Sequence, residues 1–286
     1  MGERSRSKTR TLAVLEGAVF GKKDGDMKLS PGELHKVVRR LEHHAVLPVC
    51  YDVLCAMGID ATEREHIEKV CKRIMLQNYR LFFLTLFYVR ALEEAGIEVA
   101  VLKGISVGWD YPAFETRKSG DVDLYLVDAD DYSDACRVLY ENGARQGVEQ
   151  HADHHVSFID METGIEIELH TSLVEDTGNT DLDRGVSEAE KEIRRRTIRR
   201  SFFGDHELSV LPDYGQALHL LLHMLQHFIG TGFGLRLLLD WVYFWNGEGR
   251  LSAAEDYLRL AGECGLLDFS DLVTDTCGRY LGLSPD

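Results

Sequence analysis

The sequence lacks any apolar run long enough to cross a bilayer. The longest such run, near residues 81–89, is short and lies inside an amphipathic helical pattern. The amino terminus is polar and charged, and it has no apolar stretch of the kind found in secretory signal peptides. These absences indicate a soluble protein without a membrane partner, and we expect it to be cytoplasmic.

Cysteine is sparse and its spacing carries no motif. The six cysteines are scattered, and no two of them form a Cys-x-x-Cys pair. The pattern therefore argues against a disulfide framework and against a zinc site built on paired cysteines. Free, buried thiols in a reducing compartment are the simpler interpretation.

An excess of basic charge is also lacking. The chain has 32 Lys and Arg against 48 Asp and Glu, a formal net charge of -16. A general nucleic-acid surface needs clustered positive charge, so this balance disfavours nucleic acid as a partner. Two local basic stretches exist. We expect residues 4–10 to be a loose tail, and the arginine-rich run at 194–200 to be a solvated face, with a nucleotide tail or an acidic partner as alternatives.

The 286 residues are enough for a substantial core, and their patterning changes twice. Apolar residues recur at helical spacing through the first third and again after residue 213, whereas short β-branched runs lie between. We therefore expect an amino-terminal helical region at 1–96, an α/β core at 97–175 and a carboxyl-terminal helical region at 176–286.

Two helices of the first region have sequence signals at their ends. One is expected to begin after Ser30, with Pro31 at its first position and Glu33 at its third. A longer helix is expected over residues 61–94, followed by a glycine of the kind that ends helices.

The central region has the order β-α-β-α-β-β. Strands are expected at 97–102, from Asp121 onward, at 154–159 and at 164–170, with a brief helical turn after the first strand and a helix over 128–143. This order is typical of a small mixed sheet. The sequence thus predicts an α+β fold in which a small mixed β-sheet is flanked by helical regions.

Carboxylates alternate with apolar residues along two of these strands. Asp121 and Asp123 share one face of a strand expected to be half-buried, and Glu166, Glu168 and His170 share a face of the later strand. Residues two apart lie about 7 Å from each other, close enough to share a divalent cation. If the strands are neighbours, their carboxylates converge and repel one another. Protonation or a cation would relieve this repulsion, and we favour a cation.

A glycine turn follows the first strand. Lys103, Gly104, Ile105 and Ser106 lie at a junction between a strand and a helix, where glycine lets the backbone approach a ligand and free N–H groups favour an anion. Lys103 and Ser106 add a charge and a hydroxyl suited to phosphate. Such turns are common, so this one gains meaning from the Asp-x-Asp strand that follows it.

Taken in order, the glycine turn, the Asp-x-Asp strand and the Glu-x-Glu strand resemble the three signature elements of the nucleotidyltransferase (polymerase-beta-like) superfamily. The fuller pattern, which adds Tyr111-Pro112, Arg117 and Glu168-Leu169-His170, resembles a largely uncharacterised bacterial branch over about residues 98–173. The chain departs from the frequent Gly-Gly or Gly-Ser of the superfamily, because Ile105 follows the glycine.

This resemblance implies a nucleotidyltransferase core and an enzyme that depends on Mg²⁺ or Mn²⁺. The reaction would move an NMP group from an NTP, with ATP as the first candidate, to a hydroxyl of a small molecule or protein and release pyrophosphate. The metal would be held by Asp121, Asp123 and Glu168, with Glu166 as second choice for the third carboxylate.

The same resemblance implies contacts for the nucleotide. The residues expected to contact the triphosphate or support the metal ligands are Lys103, Gly104, Ser106, Arg117, His155 and His170. His151 and His154 lie near the same expected strand, and hydrogen bonding without a role in binding is an alternative for all these histidines.

Two other functions remain open on the sequence. One is a catalytically silent module of the same fold that binds a nucleotide or a partner. The other is a zinc hydrolase built on His219, His223 and His227, which are four residues apart, although packing histidines are the simpler interpretation. Nearby, Arg236 and Asp240 have the spacing of a salt bridge within one helix, with a phosphate contact by Arg236 as the alternative.

Overall fold

The structure, a computed structural model, describes residues 3–20, 29–147, 155–230, 232 and 234–283. Its helices are α1 (Glu3–Val19), α2 (Pro31–His43), α3 (Tyr51–Ala56), α4 (Ala61–Glu94), α5 (Lys103–Gly108), α6 (Tyr132–Glu141), α7 (Thr180–Arg194), α8 (Asp213–Gly230), α9 (Leu235–Trp245), α10 (Ala254–Glu263) and α11 (Leu267–Tyr280). Its strands are β1 (Val99–Val101), β2 (Val122–Leu126), β3 (Ala144–Gln146), β4 (His155–Asp160), β5 (Glu166–His170), β6 (Ile198–Phe202) and β7 (His206–Val210).

The seven strands found among the described residues belong to one mixed sheet of order β3-β4-β5-β2-β1-β7-β6. The pairs β2–β5 and β1–β7 are parallel, and the other neighbours are antiparallel. With the surrounding helices this is an α+β fold, as predicted from the sequence.

The two faces of the sheet are covered by different parts of the chain. On one face, Val122 and Leu124 belong to a buried cluster that includes residues of α4 and α6. On the other face, Tyr125 belongs to a second cluster, shared by helices near both ends of the chain. Strand β2 is therefore buried along its whole length, and the expectation that it is half-buried is wrong. The face of β2 that carries the polar residues of the alternating pattern is also covered by helices.

The two helices of the amino-terminal region begin where their sequence signals predict. The backbone N–H of Ser30 donates to the Glu33 carboxylate at 3.0 Å, closing a capping box at the start of α2. Helix α4 has the predicted bounds, and Asp60 caps it by accepting from two backbone N–H groups of its first turn.

The structure corrects the prediction for the first basic stretch and agrees in part with the prediction for the second. Residues 4–10 lie within α1, which packs against α2, and do not form a loose tail. The run at 194–200 spans the end of α7 and the beginning of the edge strand β6. Arg199 donates to Glu93 at 2.6 Å, and Arg200 donates to Asp213 at 2.9 Å. Arg195, Arg196 and Arg199 are exposed, as expected of a solvated face, whereas Arg194 and Arg200 are half-buried.

The sequence predicts a helical region over 176–286, but this region also contains two strands. Its hairpin β6–β7 extends the central sheet through the pairing of β7 with β1. The sequence of β6 does not show the alternation of apolar and polar residues that indicates a strand. This edge strand buries only its last residue and carries two arginines. Helix α7 and the short strand β3 were also missed. The boundaries at residues 96 and 175 stay predictions.

None of the helices in the described part of the chain has the length and apolar character required to cross a membrane.

Helix α7 packs so closely on the end of α10 that one glycine position admits no side chain. A Cβ at Gly185 would lie 2.7 Å from the Glu263 carbonyl oxygen and 2.9 Å from the Cα of Cys264. We expect Gly185→Ala to lower the free energy of unfolding by about 2 kcal/mol or more, because the obstructing atoms are backbone. Urea denaturation measures this change. Gly32→Ala is the matched control, because its Cβ would meet nothing within 4 Å; equal losses in both variants would contradict this packing.

Candidate functional site

The register of two parallel strands brings the predicted carboxylates together. Asp123 of β2 is paired directly with Glu168 of β5, and Asp121 lies just before β2. One carboxylate oxygen from each of Asp121, Asp123 and Glu168 lies within 4.8 Å of the others. Such a set of oxygen donors fits the coordination of Mg²⁺ or Mn²⁺.

The two glutamates of β5 have different neighbours. Glu168 belongs to the carboxylate group, whereas Glu166 accepts a short hydrogen bond from the Ser157 hydroxyl of the neighbouring strand. Glu166 belongs to neither group of potential metal ligands found in the described residues.

Positive and hydrogen-bonding groups compensate the converging carboxylates. The Nζ of Lys103 lies 3.1 Å from Oδ1 of Asp123 and 3.8 Å from Oε2 of Glu168. The Nε2 of His170 lies 3.2 Å from the same Asp123 oxygen and 3.1 Å from Oε2 of Glu168. These contacts balance part of the negative charge that the strand register concentrates.

The pKa values of the two aspartates move in opposite directions. The charge of Asp123, burial and then Glu168 raise the pKa of Asp121 to about 6. The pKa of Asp123 is well below its usual range, because Lys103 and His170 together outweigh its burial. Burial lowers the pKa of Lys103, but the three carboxylates outweigh it and the net shift is upward. Lys103 is therefore held as a cation.

The glycine turn passes directly against the aspartates. Gly104 has φ 33° and ψ -97°, a backbone conformation that disfavours other residues. A Cβ there would lie 3.6 Å from the Asp121 carbonyl oxygen and 3.7 Å from Oδ2 of Asp123. Glycine is thus suited to this position by both its conformation and the close approach.

The next two residues of the turn face the protein interior. Ile105 is buried in the same core cluster as β2. Ser106 is also buried, and its hydroxyl lies 2.7 Å from the Leu102 carbonyl oxygen and 3.2 Å from Oε1 of Gln216. In this arrangement Ser106 links the turn to α8, and the phosphate contact predicted for it is untested.

A buried ion pair supports the glycine turn from behind. The Nε and Nη2 of Arg117 donate to the two carboxylate oxygens of Asp240 at 2.8 and 2.9 Å, and both side chains are at most 2 % exposed. The Tyr111 hydroxyl donates to the same carboxylate at 2.6 Å. The Nη1 of Arg117 points to the Gly104 carbonyl oxygen at 3.3 Å. Arg117 therefore positions the turn, and its predicted phosphate contact is untested.

The expected helix salt bridge between Arg236 and Asp240 is wrong, because Asp240 pairs with Arg117 instead. The spacing along α9 allowed the local pair, but the buried guanidinium binds both carboxylate oxygens at once. Burial and then the charge of Arg117 lower the pKa of Arg236.

A cavity of about 260 Å³ opens beside the carboxylates. The residues that line it are Lys103, His155, Glu168, Glu175, His223, Gln226, His227 and Gly230. Helix α8 therefore presents two of its three spaced histidines to the candidate site. Burial, followed by the charge of Lys103, holds the pKa of His223 well below its usual range, so this imidazole is neutral at pH 7.

The three spaced histidines do not form a metal group. Among the described residues, neither set of potential ligands includes His219, His223 or His227. His219 is 1 % exposed, which agrees with a packing role, whereas the other two line the cavity. The geometry gives the zinc hydrolase interpretation no support.

Sequence reasoning did not assign several supporting residues of this site. Gln216 was missed and Asp240 was assigned to Arg236, because their actual partners are distant in sequence. Glu175, which lines the cavity, was also missed. The spacing of polar residues along the apolar helix α8 was a usable signal for Gln216. Arg194 was treated only as part of a basic run, yet it donates to backbone oxygens after β2 and β5. His151 and His154 lie outside the described residues.

Comparison with known proteins agrees with this geometry. The sequence model of a protein family described as "Uncharacterised nucleotidyltransferase" matches residues 30–282, nearly the whole chain. The chain belongs to this nucleotidyltransferase family. The predicted superfamily is thereby confirmed.

One solved structure shows a remote similarity to this chain. A solved structure, an antigenic nucleotidyltransferase-like protein from Paracoccidioides brasiliensis, is 13% identical and has a TM-score of 0.42. The match covers 71% of this chain and 93% of that one. The family assignment does not depend on this likeness. The comparison with curated proteins found no significant match.

The buried pair behind the turn can be tested by removing one charge. We expect Asp240→Asn to lower the free energy of unfolding by about 3–5 kcal/mol, because Arg117 would remain buried without its counter-charge. Chemical denaturation measures the loss. Asp275→Asn is the control, since Asp275 contacts Arg279 only at 3.9 Å on the surface and should change stability by less than about 1 kcal/mol. Similar values for both variants would contradict the assigned role.

The repulsion among the carboxylates predicts that one of them destabilises the metal-free protein. The folded pKa of Asp121, about 6, exceeds its ordinary 3.8, so ionisation costs stability as the pH rises through this interval. With metal chelated at pH 8, Asp121→Asn should therefore raise the free energy of unfolding by about 1–3 kcal/mol.

That gain should shrink towards pH 4 in urea denaturation series, where the wild-type carboxyl is protonated. Asp130→Asn, at an exposed position, is the control and should show no such trend. A variant less stable than wild type at pH 8 would contradict the proposed repulsion.

Proposed function

We propose that this protein is a nucleotidyltransferase that moves an NMP group from an NTP, with ATP as the first candidate, to a hydroxyl acceptor and releases pyrophosphate. The observation that carries this proposal is the meeting of Asp121, Asp123 and Glu168 beside the Gly104 turn. Family membership supports the general chemistry, and the residue roles below are our assignments.

The three carboxylates would hold Mg²⁺ or Mn²⁺. Their oxygen donors fit these ions, and the high negative charge on strands β2 and β5 favours a cation. When bound, the metal supplies charge neutralisation for the phosphates and a lowered pKa for an attacking hydroxyl.

Lys103 is the side chain best placed to bind the triphosphate. It is held as a cation by Asp123 and Glu168, and it lines the cavity beside them. Arg117 and Ser106 act behind the turn, through the Gly104 carbonyl oxygen and through Gln216. Gly104 lets this backbone approach the aspartates. His170 orients Asp123 and Glu168, and His155 borders the same cavity.

The acceptor is proposed to be a small molecule or a protein. A net charge of -16 disfavours a nucleic acid, whose phosphates would be repelled by most of the surface. The cavity walls formed by α8 carry His223, Gln226 and His227, whose hydrogen-bonding groups suit a hydroxyl-bearing ligand. The proposed location of the reaction is the cytoplasm.

The reaction type is tested by following two labels. Purified protein, Mg²⁺ and each of the four NTPs, labelled on either the α- or the γ-phosphate, are incubated with fractions of a cell extract. We expect an acceptor to gain label from the α-phosphate, and the γ-phosphate to appear in pyrophosphate. Transfer of the γ-label to an acceptor would instead indicate a kinase and overturn the proposal.

The same assay distinguishes an enzyme from a silent binding module. If Mg²⁺ and an NTP raise the melting temperature but no fraction accepts the α-label, the protein binds nucleotide without transferring it. The Ile105 departure from the common turn makes this second outcome worth measuring.

Substitution of the carboxylates tests the site residues. We expect Asp123→Asn or Glu168→Gln to lower transfer roughly a thousandfold, the effect of losing about 4 kcal/mol of metal-dependent stabilisation. Glu166→Gln should have a smaller effect, because Glu166 is turned to Ser157. The control is Glu162→Gln, an exposed position in the turn before β5. Unchanged transfer by Asp123→Asn, with the fold intact by circular dichroism, would refute the assigned site.

A further inference from the structure

A second group of potential metal ligands lies beside the carboxylates. In the antiparallel β4–β5 ladder, His155 is paired directly with His170, and Ser157 is paired with Glu168. Residues two apart on a strand share a face, so both histidines and Glu168 lie on one face of the sheet. This arrangement follows from the hairpin register and does not involve Asp121.

The distances among these side chains suit a single ion. Nε2 of His170 lies 3.1 Å from Oε2 of Glu168, and Nε2 of His155 lies 3.7 Å from Oε1 of the same carboxylate. One donor atom from each of the three residues lies within 4.8 Å of the others. A tetrahedral ion with bonds of about 2.0–2.1 Å separates its ligand atoms by roughly 3.4 Å. The two measured distances run to different oxygens of Glu168, and the grouping of one donor atom from each residue within 4.8 Å is what supports a shared ion.

We propose that His155, His170 and Glu168 form a second cation site, distinct in chemistry from the three-carboxylate site. Two imidazole nitrogens and one carboxylate select transition-metal ions such as Co²⁺ or Zn²⁺, whereas Mg²⁺ prefers oxygen ligands. Glu168 belongs to both groups, so the two sites are adjacent and share one carboxylate.

The proposed site can be reached from solvent. His155 and Glu168 line the cavity of about 260 Å³ beside the sheet, while His170 is buried behind them. An ion bound there would be held by strands β4 and β5 and would have one side facing the cavity. The site does not require that the protein transfer nucleotides, so it is testable in the absence of any NTP.

The experiment separates the two sites by substitution. Co²⁺ is titrated into metal-free full-length protein, and binding is followed by calorimetry and by the visible absorption of Co²⁺. The Asp121→Asn background weakens the oxygen site only. In it we expect one Co²⁺ per chain with absorption typical of nitrogen ligands, and little competition from Mg²⁺.

Adding His155→Ala to this background should weaken Co²⁺ binding at least tenfold and remove the absorption band. His155→Gln serves as a second variant, and circular dichroism verifies the fold. His35→Ala, at an exposed histidine of α2, is the control and should leave the titration unchanged.

Unaltered Co²⁺ binding after loss of His155, or no binding in the Asp121→Asn protein, would overturn the proposal. The histidines would then serve only to orient Glu168. Because no nucleotide is present, either result is independent of the label-transfer assay, and failure of one proposal does not imply failure of the other.

Discussion

The parallel register of β2 and β5 is the constraint on which the rest of the site depends. It places Asp123 opposite Glu168 on strands that are covered by helices, where like charges repel strongly. Neighbouring groups offset the repulsion between these two carboxylates. Lys103 and His170 contact both carboxylates. The negative charge that they do not neutralise raises the pKa of Asp121. This residual repulsion is the physical basis of the proposed cation site.

The carboxyl-terminal region supports this site as part of the same body. Asp240 of α9 binds Arg117, which in turn reaches the carbonyl oxygen of the glycine turn. At the opposite end of β2, Arg194 of α7 donates to the Val127 carbonyl oxygen and lies over the Tyr125 ring. Residues that follow the α/β core in sequence thus support the glycine turn, through Arg117, and the carboxyl end of β2 directly. The hairpin β6–β7 then continues the sheet beyond β1.

The proposed activities also share a physical basis. Glu168 belongs to both groups of potential metal ligands, so the proposed oxygen-only site and the proposed nitrogen-containing site would share one carboxylate. The cavity beside them is bounded across from the sheet by the polar residues of α8. An acceptor bound there would contact a helix that the sequence pattern alone had assigned to packing.

The sequence by itself determined the elements whose signals are local. The alternation around Asp123 and Glu168 indicated strands with carboxylates on one face, because side-chain direction has a period of two. Capping and glycine signals likewise located α2 and α4. Only the tertiary structure decided which residues meet. Arg117 and Asp240 are 123 residues apart, and no periodicity along the chain encodes a contact that arises when buried charges must find a partner.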